Sequence, residues 1–147
     1  MKKILESGIP TTIARIIVGY IFLTYGIGKI ANPTLFVSEI ANYDIVPNFS
    51  LNIIALILPW LETICGVLLI TGVKVRANSV ITASMMFVFV LAVVAAMARG
   101  LDINCGCSST NPQKVGLPKL IENLVLLGLS IFNIYFPKSW LSLDKFD

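Results

Sequence analysis

The sequence predicts an all-α integral membrane protein, an antiparallel four-helix bundle with a short interfacial helix between helices 1 and 2. Three observations carry this. Hydrophobic residues make up 56% of the 147 residues and charged ones 13%, against about 25% charged in an ordinary soluble domain. A mean hydropathy of +0.88 would leave a soluble core of this size too little polar surface to face water. The apolar residues also gather into four runs of about 20, the length that crosses roughly 30 Å of hydrocarbon.

The chain opens with a basic Met1-Lys2-Lys3, and Pro10 stands where a first helical turn begins. Residues 11–31 form the first span. Its length, Arg15 within it, and the lack of a small-x-small cleavage site before Asn32-Pro33 argue against a removable signal peptide. The connector 32–50 places Phe36, Ile40 and Tyr43 at helical spacing, as in an amphipathic helix lying at the membrane surface. Residues 51–72 are the second span, interrupted by Pro59 and carrying Glu62 and Cys65. A tight basic turn, 73–78, holds Lys74 and Arg76, and 79–98 is a third span of apolar and small residues. The polar loop 99–116 contains Asn104-Cys105-Gly106-Cys107, and 117–136 is the fourth span, with Glu122 and Asn133, closed by Pro137. Short connections make successive spans antiparallel neighbours within a single domain, residues 1–147.

Alternating spans put Lys2, Lys3, Lys74, Arg76, Lys138 and Lys145 on one side. Arg99, Lys114 and Lys119 fall on the other, offset by Glu39, Asp44 and Asp102. By the positive-inside rule both termini are cytoplasmic, and Cys105 and Cys107 lie outside the plasma membrane, where disulfides persist. A net charge of +3, small and dispersed, gives no footing for nucleic acid, so lipid is the expected surroundings, with a homo-oligomer left open. The absence of histidine removes the usual base near neutral pH and excludes a Ser-His or Cys-His hydrolase.

Ionisable groups inside a bilayer are costly and call for a reason. Arg15, Gly19, Phe22, Gly26 and Lys29 form one stripe on the first span, Glu62, Cys65, Gly66, Leu69 and Gly72 one on the second, and Glu122, Leu126, Leu129 and Asn133 one on the fourth. Glycines on such stripes let helices approach closely and bring acid and base within reach. Arg15 and Lys29 have the alternative of snorkelling to opposite interfaces. Glu62, roughly 16 Å from its helix start at 1.5 Å per residue, is too deep for that. It is protonated, paired with a cation of the first span, or beside a water-filled pocket. Glu122 is placed to pair locally with Lys119 at i−3.

The adjacent cysteines carry the chemistry. A thiolate is the attacking species in disulfide exchange, and Arg99, Lys114, Lys119 and Lys29 all lie on the dithiol's side. Cys107, nearer Lys114 and Lys119 in sequence, is the better candidate for the attacking sulfur. Two cysteines one residue apart close only a small, strained ring, which favours a reducible bond, and such a bond would constrain little chain. An inert disulfide, a soft-metal clip and a chance proximity compete with a redox role. Cys65, near 20 Å along its helix, is out of reach of the loop and reads as a small buried hydrophobe.

The run Arg15-x3-Gly19-x2-Phe22-x3-Gly26-x2-Lys29, followed by Asn32-Pro33, Phe36, Tyr43 and Pro47, resembles the DoxX-like membrane proteins. Pro59-x2-Glu62-x3-Gly66-x2-Leu69-x2-Gly72 continues the likeness, and Cys105-Gly106-Cys107 is most similar to the methylamine-utilisation MauE branch. The resemblance covers residues 12–136. It implies a four-helix membrane protein with its dithiol at Cys105 and Cys107 and polar bundle positions at Arg15, Lys29 and Glu62. It also implies an exported thioredoxin-like partner and, from the DoxX side, coupling to a membrane quinone. The MauE loop commonly continues Phe-Gly after the second cysteine, whereas Ser108-Ser109 follow here.

The expectation is a membrane thiol–disulfide redox protein in which Cys105 and Cys107 exchange with that partner or a small thiol. Arg15, Lys29, Glu62, Glu122 and Arg99 would support them, with a quinone near Lys29 and Glu62. One alternative is a mercury, copper or arsenic binder or transporter that uses Cys105, Cys107 and Cys65. Another is a non-catalytic membrane anchor of an oxidoreductase complex.

Overall fold

A computed structural model describes residues 8–107, 113–137 and 143. Its helices are α1 (Ile9–Ala31), α2 (Pro33–Asn42), α3 (Asn48–Thr71), α4 (Val75–Ala98) and α5 (Leu117–Tyr135). All but α2 are long and apolar enough to cross a membrane, so the protein is an all-α, multi-pass membrane bundle. Its lipid belt is visible in large exposed side chains, including Ile17, Tyr20, Leu56, Trp60, Val88 and Leu124. A shared core of Val18, Phe22, Leu69, Met86 and Leu126 ties the four spans together.

Two local expectations need correction. Pro59 does not interrupt its span, because α3 runs through it unbroken. Lipid offers no other partner for backbone groups, so the helix keeps every bond that proline allows. The Thr63 hydroxyl also donates to the Pro59 carbonyl at 2.8 Å. The turn after α3 is shorter than expected, since α4 begins at Val75 and makes Arg76 and Asn78 helical. Gly72 (φ 76°) and Lys74 (φ 42°) take left-handed conformations that reverse the chain quickly, and the Asn78 amide donates to the Val73 carbonyl at 2.8 Å. The other spans end within three residues of their expected limits.

The main seams are α1 on α3 and α4 on α5. Glycine decides the first. A Cβ on Gly66 would sit 2.7 Å from the Leu23 backbone nitrogen and 2.8 Å from the Gly19 carbonyl oxygen. One on Gly26 would meet the Thr63 side chain and the Pro59 carbonyl. Backbone-to-backbone packing of this kind supplies the attraction that the hydrophobic effect cannot provide between helices in lipid. The seam runs from Gly19 and Gly66 up to Lys29 and Glu62, and α2 folds back over that end.

Gly66→Ala should therefore part α1 from α3 at a cost of about 1–3 kcal/mol, the usual penalty for overpacking. Gly128, whose added Cβ would meet nothing within 4 Å, should accept alanine without loss. Thermal survival of the gel-filtration peak in detergent measures both, and equal stability of the two variants would contradict the seam.

Candidate functional site

Past α4 the chain makes a short antiparallel pairing. Asn104 bridges Lys114, the Cys105 N–H donates to the Gln113 carbonyl at 2.8 Å, and the Val115 N–H to Ile103 at 2.9 Å. Cys105 and Cys107 are joined by a disulfide with their Cα atoms 5.4 Å apart. Gly106 between them has φ 72°, a left-handed conformation that glycine adopts without penalty. Its missing side chain leaves room for α2: a Cβ there would lie 3.3 Å from Glu39 Cβ and 3.4 Å from Glu39 Oε2.

The disulfide is not displayed on an outward polar loop. Cys105 is 1% and Cys107 4% exposed. The apolar side of α2 packs on this loop, and the Tyr43 hydroxyl donates to the Cys105 carbonyl at 2.8 Å. The Tyr43 and Asp44 carbonyls in turn accept from Arg99 Nη1 at 2.9 and 3.4 Å, tying the end of α2 to the end of α4. Arg99 thus holds backbone rather than sulfur.

The other cations are committed too. Lys29 Nζ donates to both oxygens of Glu62, at 2.7 and 2.8 Å, fully buried and 4.8 Å from the Phe36 ring centre. That pairing selects among the possibilities open for Glu62 and corrects snorkelling for Lys29. Lys119 donates to Glu122 at 2.9 Å and to the Tyr25 hydroxyl at 3.2 Å, while Tyr25 donates to Glu122 at 2.6 Å. Lys114 pairs with Asp102 at 3.0 Å on the surface. Closeness of Cys107 to Lys114 and Lys119 in sequence therefore does not become a charge contact, because each lysine finds a carboxylate.

Arg15 lies toward the opposite end of the bundle, 1% exposed, with Nε and Nη1 lacking a hydrogen-bond partner. Snorkelling is corrected here as well, since its stripe is the buried face of α1. Cys65 is a free, buried thiol. No group of three or more His, Cys, Asp or Glu side chains suited to a metal ion occurs among the described residues, so Cys65 does not join the loop pair.

Glu39, which the sequence reading treats only as charge in the connector, is a buried polar residue beside the disulfide loop. It is 3% exposed, and its Oε2 has no hydrogen-bond partner. Burial pushes its carboxyl above the usual carboxylate range, against the pull of the Lys29 charge. Burial, and then the nearby Glu39, likewise push the Tyr43 phenol up. The signal was available: Glu39 stands three residues after Phe36 and four before Tyr43, on the same helical stripe.

Beside the disulfide a cavity of about 440 Å³ opens between α2, α3 and α4, lined by Phe36, Tyr43, Ile54, Leu58, Phe89, Cys105 and Gly106 among others. Val88 and Leu91 on its wall are exposed on the lipid belt, so it communicates with the bilayer. Lys29 and Glu62 do not line it.

The family model for methylamine utilisation protein MauE matches residues 7–136. The chain belongs to the MauE family. It is 28% identical over 136 residues to the methylamine utilization protein MauE of Methylophilus methylotrophus, covering 90% of this chain and 71% of the relative. The Paracoccus denitrificans protein of the same name is 29% identical over 120 residues, 80% of this chain and 64% of its own length. No solved structure matches.

Removing one member of the Lys29–Glu62 pair strands a buried charge, at about 3–5 kcal/mol. Glu62→Leu should accordingly lose much of its thermal stability in detergent, and Lys29→Met/Glu62→Leu should regain it. A double variant no better than the single would show that the pair does not act as a unit.

Proposed function

We propose that the protein is a membrane thiol–disulfide redox component whose Cys105–Cys107 pair exchanges with the dithiol of an exported thioredoxin-like protein. The observation that carries the reading is the Cys105–Cys107 bond itself, held between Tyr43 and Glu39 at the mouth of a lipid-facing groove. A disulfide closing so short a segment constrains almost no unfolded chain, so stabilisation gives little reason for it. Chemistry does. The positive residues at the opposite loops favour cytoplasmic termini and an extracytoplasmic disulfide. The relatives' names favour service to a methylamine-utilisation system.

Each sulfur has a distinct position. Cys105 is fixed through its carbonyl by Tyr43 and lines the groove, while the Cys107 N–H donates to the Cys105 sulfur at 3.2 Å. That donor favours Cys105 as the sulfur able to carry charge when the bond opens, alongside the preference for Cys107 as attacking sulfur drawn from sequence. The groove favours lipid as one route to the pair. Phe36, Tyr43, Ile54, Leu58 and Phe89 fit the ring and tail of a membrane quinone. When bound, a quinone would supply a two-electron, two-proton acceptor. Phe36 and Phe89 would pack on it and exclude water. The fit is better here than beside Lys29 and Glu62, whose charges satisfy each other.

Cells carrying Cys105→Ser/Cys107→Ser should lose the function that depends on this protein. Either single serine variant should accumulate a mixed disulfide with an exported dithiol protein, visible as a reductant-sensitive band. Full function in the double variant would overturn the redox reading and favour a non-catalytic anchor.

A further inference from the structure

The buried side of α2 places an acid against the residue that separates the two cysteines. Glu39 Oε2 lies 3.4 Å from where a Cβ on Gly106, the residue between the two cysteines, would stand. That oxygen is buried and lacks a hydrogen-bond partner, an arrangement that is costly unless the group has a task. Phe36, one helical turn earlier, contacts the same side of Gly106 and lies under the Lys29 ammonium, bringing α1, α2 and the disulfide loop to one point.

We propose that Glu39 is the proton-exchanging group of the Cys105–Cys107 couple, giving a proton to the departing sulfur when the bond opens and receiving one when it closes. This rests on the thiol–disulfide reading above. A partner thiolate attacks one sulfur; a mixed disulfide forms, the Cys105–Cys107 bond breaks, and its electron pair leaves on the other sulfur. Both cysteines are buried, so that thiolate would carry its charge away from water, which is costly. Glu39 protonates it and becomes a carboxylate. The second partner thiol passes its proton to Glu39 and attacks the mixed disulfide. The released cysteine takes up from water the proton that the first partner thiol had shed. The partner dithiol is oxidised, the Cys105–Cys107 disulfide is reduced, and protons balance.

The surroundings suit a neutral acid that ionises briefly. From α1, Lys29 supplies positive charge, most of it engaged by Glu62 of α3. From the residue that caps α2 comes the Tyr43 phenol, and from the end of α4 the Arg99 guanidinium, bonded to the Tyr43 carbonyl. From α5, Lys119 and Glu122 form a separate cluster with Tyr25. With Glu62 ionised and Glu39 protonated, the trio with Lys29 carries no net charge; donation takes it to minus one, which Lys29 tempers. Burial raises the Glu39 carboxyl with Lys29 opposing. Its proton is therefore retained below the raised value and lost as pH climbs through it.

The test reduces the purified full chain in lipid nanodiscs with dithiothreitol across pH, the rate expressed per thiolate. Wild type should be fast at low pH and slow as pH rises through the Glu39 titration. Glu39→Gln should be slower by about 10²-fold, a typical general-acid contribution, and should lack that break. Glu39→Asp, which keeps a carboxyl, should retain a break at a displaced pH, and serves if the glutamine variant does not fold. A glutamine variant with the wild-type rate and profile, or an aspartate variant whose rate shows no break with pH, overturns the role of Glu39 and leaves the redox reading standing. A wild-type disulfide that neither opens nor re-forms overturns the redox reading itself.

Discussion

Lys29 and Glu62 meet inside the bundle because lipid can solvate neither. A charge at that depth must find an opposite charge within the protein. The partners sit on different helices, 33 residues apart in sequence. Their bond requires α1 and α3 to run close and in one register, and Gly19, Gly26 and Gly66 are the residues that permit such an approach. Ion pair and glycine seam are thus one constraint seen from two sides. The remaining helices arrange around it, with α5 bringing a second cluster of Lys119, Glu122 and Tyr25 to the same end of the bundle.

That end is also where α2 turns back. Phe36 lies against Lys29, Glu39 against Gly106, and the Tyr43 hydroxyl bonds to the Cys105 carbonyl. A ten-residue helix therefore links the buried ion pair to the disulfide. The sulfurs are consequently sequestered, and the open surface beside Cys105 is an apolar groove rather than a polar loop. For a protein of the MauE family this geometry separates two jobs. The spans anchor and align, while α2 and the loop after α4 hold the disulfide and the Glu39 carboxyl.

Much of the site was legible residue by residue. The adjacent cysteines, the depth of Glu62, the i−3 pairing of Glu122 with Lys119 and the burial of Cys65 all follow from spacing along a helix or from neighbours in the chain. The misreadings share a cause. Sequence leaves Arg15 free to snorkel because its helix face is decided by neighbours, and it sets Lys114 and Lys119 beside the thiols because proximity along the chain cannot reveal a nearer carboxylate. Glu39 was counted as loop charge, although its stripe with Phe36 and Tyr43 pointed inward.

The sequence by itself determined the number of spans, the interfacial helix and the pair of sulfurs beyond the third span, since each is a local matter of apolar run length, helical period or adjacency. Only the tertiary structure decided which cation Glu62 would take, that the disulfide would be covered, and that a carboxyl would rest against Gly106. Those are contacts between distant segments, set by how closely glycine lets backbones approach and by the rule that a charge withdrawn from water goes to whatever opposite charge the fold brings near.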